Sequence, residues 1–286
     1  MGKPKGFMEY ERTVADKIPP QERIANYREF SRSLPEQELK RQAARCMNCG
    51  VPFCHIGCPL GNLMPDWNDC VYRGDWEEAV RRLLATNNFP EFTGRLCPAP
   101  CEESCCLGIN EPAVTIEQIE KEIIERAFSK GWIRPEPPPL RTGKRVAVIG
   151  SGPSGLACAQ QLNRAGHLVS VFERADKVGG ILRYGIPDFK MEKSVIDRRI
   201  SIMEQEGINF FVNSDVGGKS EAEKILRDFD AVVLAIGSTR PRDLNIPGRN
   251  LKGIHFAMEF LCQQNRINSG AKEDNCISAK DKNVIV

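Results

Sequence analysis

Four cysteines fall within thirteen residues of the stretch CMNCGVPFCHIGCP, residues 46–59, spaced C-x2-C-x4-C-x3-C with a proline after the last. No other feature restricts folding as tightly, because four thiols this close must converge on a common partner or be kept apart. A second group, RLCPAPCEESCCLGIN at residues 95–110, adds Cys97, Cys101, Cys105 and Cys106. Nine of the 12 cysteines lie between Cys46 and Cys106, so the clustered ones form a site. The scattered Cys158, Cys262 and Cys276 read as ordinary small thiols.

What the thiols bind depends on the compartment. The N-terminal stretch MGKPKGFMEYERTVADKIPP has no apolar core of a secretory signal. No apolar run approaches the roughly 18 residues of a membrane span. The expected location is therefore cytoplasmic, where thiols stay reduced and clustered cysteines bind metal rather than pair as disulfides. A net charge of +2 offers no basic field for nucleic acid. Neither a nucleic acid nor a membrane is expected as a partner.

Zinc prefers two short ligand pairs separated by a spacer, but the second loop has no C-x2-C pair and the only nearby histidine is His55. A non-catalytic zinc module is the rival reading. Iron–sulfur ligation explains more. In two-cluster ferredoxins, a cysteine in a C-x3-C-P ending reaches over to the other cluster, and Cys54-x3-Cys58-Pro59 has that ending. Cys46, Cys49 and Cys54 would then grip one cluster, and Cys58 would join Cys97, Cys101 and Cys105 in completing the pair of sites. Two clusters need eight ligands, and these loops supply seven well-placed cysteines. Cys70 and Cys106 are candidates for the eighth, but Cys106 adjoins Cys105 and would point elsewhere, so the shortage needs another explanation.

Around the cysteines the pattern is helical. Residues 21–45 suggest two short helices broken near Pro35, and residues 65–84 continue the helical spacing with Asp75 as an N-cap. Thr115 is placed to cap a helix whose Ile116, Ile119, Ile123 and Phe128 share one face. The proline-dense IRPEPPPLRT then reads as a connector. Beyond it, KRVAVIGSGPSGLACAQQLNRAGHLVSVFER reads as strand, glycine turn, helix and strand, with further strands at INFFVNSDV and FDAVVLAIG. The final KDKNVIV looks like the opening strand of another unit.

The glycine turn GSGPSG, Gly150 to Gly155, matches G-x-G-x-x-G in the strand–turn–helix setting its mechanism requires. Gly150 makes the turn, Gly152 admits a pyrophosphate to the backbone, and Gly155 lets helix and strand pack closely. Glu173 stands about 20 residues on, where a carboxylate accepts ribose hydroxyls. The fingerprint alone leaves FAD and NAD open. The Gly179-Gly180 pair allows another close backbone approach, where an extended flavin nucleotide would run.

With both sites placed, the chain resembles the small (beta) subunits of NADPH-dependent glutamate synthases, and is similar to the N-terminal half of dihydropyrimidine dehydrogenases. The segments that carry the resemblance are CMNCGVPFCHIGCP, GRLCPAPCEESC, VAVIGSGPSGLACA, FERADKVGGILRYGIPDFK and AIGSTRPRDLNIPG. The resemblance implies two [4Fe–4S] clusters and one FAD. One cluster would be held by Cys46, Cys49, Cys54 and Cys105. The other would be held by Cys58, Cys97, Cys101 and an oxygen ligand, Glu120, which otherwise reads as a solvated helix position.

For FAD the resemblance points to Gly150, Ser151, Gly152, Pro153, Ser154, Gly155, Glu173, Arg174, Gly180, Ile181, Lys190, Val216, Ala235 and Gly237. It implies no catalytic acid, base or nucleophile. Electrons would pass from NADPH through FAD and the clusters to a larger (alpha) subunit, where 2-oxoglutarate and glutamine-derived ammonia become glutamate. A related subunit serving pyrimidine reduction or ferredoxin-linked chemistry is the alternative.

The expected fold class is α/β with an N-terminal all-α iron–sulfur domain and an incomplete Rossmann-like FAD-binding domain. Its parts would be a helical domain at 1–132, a proline-rich linker at 133–143, the FAD-binding domain at 144–275 and the start of an NADPH-binding domain at 276–286. The family continues past the equivalent of NVIV, so the nicotinamide site is expected to be missing from these 286 residues.

Overall fold

The computed structural model describes residues 2–272 and 276–286. The domain boundary expected at 275/276 therefore abuts residues that lie outside the described ones. The chain divides into two compact units, one of Met1–Arg134 with Phe189–Met191, the other of Pro135–Asp188 with Glu192–Val286.

The first unit is helical. Two short turns, α1 (Gly6–Glu9) and α2 (Pro20–Arg23), precede α3 (Glu36–Ala44) and α4 (Phe53–Gly57). Then come α5 (Met64–Arg73), α6 (Trp76–Leu84), α7 (Pro90–Leu96), α8 (Pro100–Glu103), a 3-10 turn at Cys106–Ile109, and α9 (Ile116–Ser129). The core joins Leu39, Ala43, Met64, Trp67, Val71, Val80, Leu83, Ile119, Ile123 and Ala127 with three buried thiols, Cys54, Cys70 and Cys101.

Two local expectations need correction, and the reading of 65–84 with a cap at Asp75 gains detail. The first helix expected in 21–45 is a single turn; after it the chain runs extended, Ile18 N–H donates to Phe30 O (2.9 Å), and Phe30 stacks on Phe189 at 5.9 Å. Tertiary packing of one ring overrides the helical periodicity there. The helical run at 65–84 is two helices, because Gly74 turns left-handed (φ 80°) and ends α5. Asp75 does cap α6, accepting from Glu78 N–H at 3.3 Å. Thr115 occupies the N-cap of α9 without capping it: its hydroxyl donates to Gln42 Oε1 (3.4 Å), and Glu102 Oε1 from α8 accepts the Glu117 N–H instead (3.0 Å).

The second unit is built on β1 (Arg145–Ile149), α10 (Pro153–Arg164) and β2 (Leu168–Phe172), followed by α11 (Ile181–Tyr184) and α12 (Lys193–Gln205). It continues with β3 (Asn209–Phe211), α13 (Lys219–Asp228), β4 (Ala231–Leu234) and α14 (Ala257–Asn268). The four strands are parallel in the order β3-β2-β1-β4, with Ile149 opposite both Phe172 and Leu234. Strands following β1 thus go to one side and then the other, which opens a crevice at the carboxyl ends of β1 and β4. The apolar run of β1 is consistent with its central place, with Ala147 and Val148 fully buried.

Two further segments differ from expectation. The second half of the proline-rich stretch is fastened down, since Arg141 donates to Asn163 Oδ1 (2.6 Å), His167 O (2.9 Å) and Glu206 O (2.8 Å). The tail 283–286 forms no strand; no described strand pairs with it, and Val284 to Val286 are exposed. Among the described residues no helix is long and apolar enough to cross a membrane.

Trp67 is fully buried, so Trp67→Ala is expected to destabilise the first unit by about 3–5 kcal/mol. Asp75→Ala, which removes only a cap bond, should cost about 1 kcal/mol. Urea unfolding followed by far-UV circular dichroism measures both.

Candidate functional site

Each cysteine loop is shaped by a residue in left-handed conformation two positions after its first cysteine: Asn48 (φ 49°) and Ala99 (φ 53°). Both turn their backbone N–H onto that cysteine, Asn48 onto the Cys46 sulfur and Ala99 onto the Cys97 sulfur. Asparagine tolerates this conformation; for alanine it costs on the order of 1 kcal/mol. Gly57 brings α4 against α8, since a Cβ there would lie 2.2 Å from Ser104 Oγ and 3.0 Å from Pro100 O. The two loops are thereby locked side by side.

The thiols fall into two groups. Cys46, Cys49, Cys54 and Cys105 line one pocket together with Cys106, Met47, Phe53 and Met64. Burial raises Cys49 to about 11 and Cys54 to about 12, and the neighbouring Cys46 and Cys105 add to both. The others, Cys58, Cys97 and Cys101, have the carboxylates Glu102, Glu117 and Glu120 around them. Burial pushes up Cys97 and Cys101, and each also feels the charges of Glu120 and Cys58. Cys70 is 1% exposed in the helical core. Cys106 is a neighbour of the first group, with its thiol in hydrogen-bond contact with Cys49.

Glu120 is placed by close helix packing. A Cβ on Gly94 would lie 2.8 Å from Lys121 Cα, so α7 and α9 touch backbone to backbone. That contact sets Thr93 and Asn87 against Glu120: the Thr93 hydroxyl and Asn87 Nδ2 (3.1 Å) both donate to its Oε1. The carboxyl is 6% exposed, and burial raises it to about 7 against the pull of those two bonds. It makes no ion pair among the described residues, although Lys121 beside it is paired with Glu29 (2.7 Å).

The donor chemistry suits a polynuclear iron–sulfur group. Zinc would need four donors about 2.3 Å from one point. A cubane instead takes thiolates from separate corners of a larger body.

In the second unit the glycine loop lies at the β1–β4 crevice. A Cβ on Gly155 would meet Gly150 O at 2.0 Å, and one on Gly150 (φ 104°) would meet Ala235 O at 2.4 Å. A Cβ on Gly152 would meet nothing within 4 Å, so open space lies at the N-terminus of α10, where free N–H groups favour a phosphate. Glu173 Oε2 accepts from Ser151 N–H (3.1 Å) and Ser151 Oγ (2.5 Å), while Ser151 Oγ in turn accepts from Gly179 N–H (3.0 Å). Gly180 lies against Gly152, with only 2.8 Å between a Cβ built on it and Gly152 Cα. The GSGPSG turn, Glu173 and the Gly179-Gly180 pair thus form one continuous backbone cradle.

Pro153 and Ser154 open α10, Ile181 opens α11, and Ala235 follows β4 with its N–H on Ile149 O (2.8 Å). Gly237 is left-handed (φ 65°), and Val216 packs on Ala147, Ile149 and Ile225. Arg174 is exposed. Lys190 belongs to the short stretch Phe189–Met191 that groups with the first unit, 6.0 Å from the Phe30 ring.

Residues 23–132 match the family model "dihydropyrimidine dehydrogenase domain II, 4Fe-4S cluster". Residues 117–225 and 144–286 match the pyridine nucleotide-disulphide oxidoreductase model. The chain is 56% identical over its whole length to the glutamate synthase (NADPH) small chain of Mycobacterium tuberculosis strain H37Rv, covering 60% of that protein. It is 52% identical to the small chain of Bacillus subtilis, again over its whole length and 60% of the relative. It is also 53% identical to a segment of glutamate synthase (NADH) of Schizosaccharomyces pombe, covering 14% of it. The chain therefore spans about 60% of the length of the small chains it matches.

Gly155→Ala is expected to disrupt the β1–α10 turn and lower the thermal midpoint of the second unit. Gly152→Ala, with open space at the added methyl, should leave the midpoint near wild type and remove only nucleotide binding. Differential scanning calorimetry and flavin fluorescence titration separate the two effects.

Proposed function

Because the chain belongs to the pyridine nucleotide-disulphide oxidoreductase family, we propose that it is an electron-transfer flavoprotein chain of glutamate synthase. In this reading it passes electrons from reduced nicotinamide through FAD and two [4Fe–4S] clusters towards a large subunit that forms glutamate. The observation that carries the proposal is the convergence of Cys46, Cys49, Cys54 and Cys105 on one pocket, with Cys58 and Glu120 as electrostatic neighbours of Cys97 and Cys101, in a chain that also carries a dinucleotide cradle. Identity of 52–56% over the whole chain to two small chains supports it.

The residues would share the work as follows. Cys46, Cys49, Cys54 and Cys105 hold one cluster, and Cys58, Cys97, Cys101 and Glu120 hold the other. Thr93 and Asn87 fix the Glu120 oxygen, and the N–H groups of Asn48 and Ala99 stabilise thiolate on Cys46 and Cys97. The α10 N-terminus and Gly152 would receive the flavin pyrophosphate, with Glu173 ordering the loop through Ser151. When bound, the cofactors carry the electron chemistry, while the chain sets position and exclusion of water. Lys190, Arg174 and Val216 remain assigned to the flavin by resemblance, as are Ile181, Ala235 and Gly237.

Protein purified without oxygen is expected to carry about eight iron and eight acid-labile sulfide per chain, as two cubanes require. Glu120→Ala should retain roughly half of each, because only one cluster loses a ligand. Stoichiometric zinc without sulfide would overturn the proposal, and full iron in Glu120→Ala would remove that residue from the ligand set.

A further inference from the structure

Arg45 is 1% exposed, which is unusual for a residue type almost never fully buried without a partner of opposite charge. It makes no ion pair among the described residues. Its bonds go to backbone oxygens only: Nε donates to Tyr10 O (3.0 Å), and the two terminal nitrogens donate to Ala113 O (3.0 Å) and Pro112 O (2.6 Å). Arg12 differs. It shares the Ala113 oxygen (3.0 Å) but is neutralised by Glu102 at 2.6 Å.

The three carbonyls come from the N-terminal segment and from the stretch that links the second cysteine loop to α9. Arg45 itself directly precedes Cys46, the first ligand candidate of the first loop. Cys105 and Glu111 lie within its electrostatic reach. One guanidinium therefore fastens the first loop, the exit of the second loop and the N-terminal segment together. It also leaves a positive charge, without an ion-pair partner among the described residues, one position before Cys46 and within electrostatic reach of Cys105.

We propose that Arg45 is the positioning residue of that group, holding Cys46 and Cys105 in register and raising the reduction potential of the cluster they carry. This rests on the iron–sulfur reading above. Each reduction adds one electron to a cluster whose thiolates are already negative. A fixed positive charge in a water-poor interior favours the more negative, reduced state. Backbone carbonyls satisfy the hydrogen-bond demand of the guanidinium but leave its net charge in place.

The test uses the 286-residue chain purified without oxygen, with iron and sulfide measured first. Absence of both sinks the iron–sulfur reading itself and leaves nothing to tune. With iron present, wild type, Arg45→Lys and Arg45→Gln are reduced stepwise with dithionite and followed by electron paramagnetic resonance. The signal of the first group is identified by its loss in Cys49→Ala. In Arg45→Gln that signal is expected at a more negative potential while the other stays in place. Arg45→Lys, which keeps the charge, should stay near wild type.

Equal potentials in Arg45→Gln and wild type, at equal iron content, overturn the proposal. Should Arg45→Gln be recovered without iron, Arg45→Lys decides. A wild-type potential there supports the charge, and a potential lowered despite the retained charge overturns it.

Discussion

Thiols and a carboxylate taken out of water without a counter-charge are pushed towards their neutral forms, and the desolvation cost rises with each added donor. The helical unit concentrates this cost. Cys54 and Cys101 sit in the same core as Trp67 and Leu83, and Glu120 is buried on a helix that also buries Ile116, Ile119, Ile123 and Ile124. Its remaining structure follows from making that burial possible: Gly57 and Gly94 allow backbone contact, while Thr93, Asn87 and the N–H groups of Asn48 and Ala99 meet the donors. A cationic metal group held among these donors would offset the cost, and binding and folding would then stabilise each other.

The glycine cradle of the second unit solves a different problem. There the backbone must stay bare and close-packed at once. Gly150 and Gly155 have no room for a side chain, whereas Gly152 has room that it leaves unused. Glu173 spends its oxygens on Ser151 and on the Ala175 N–H (2.8 Å), so it organises the turn from within and is not held free for a ligand alone.

Much of this was legible in the sequence because the signals are short-range. Cysteine spacing marks the two loops, and strand, glycine turn and helix in succession mark the parallel sheet. What could not be read depends on contacts between distant segments. Glu120 looks like a solvated helix position until Gly94 brings α7 against α9. Asn87, Thr93 and Arg45 carry no motif, and their importance comes only from what they bond. Phe30 breaks a helical periodicity because its ring stacks on Phe189. Thr115 has the residue type of a cap, but Glu102 takes the bond.

The placement of Phe189–Met191 bears on inheritance. A helical unit encoded in one stretch could be gained, lost or exchanged as a cassette with its joint in the proline-rich segment. This one is not so portable, because the ring that backs Phe30 is encoded after the first βαβ unit of the other fold. Recombination at the linker would separate a stacked aromatic pair, so the two stretches are expected to travel through evolution as a single block.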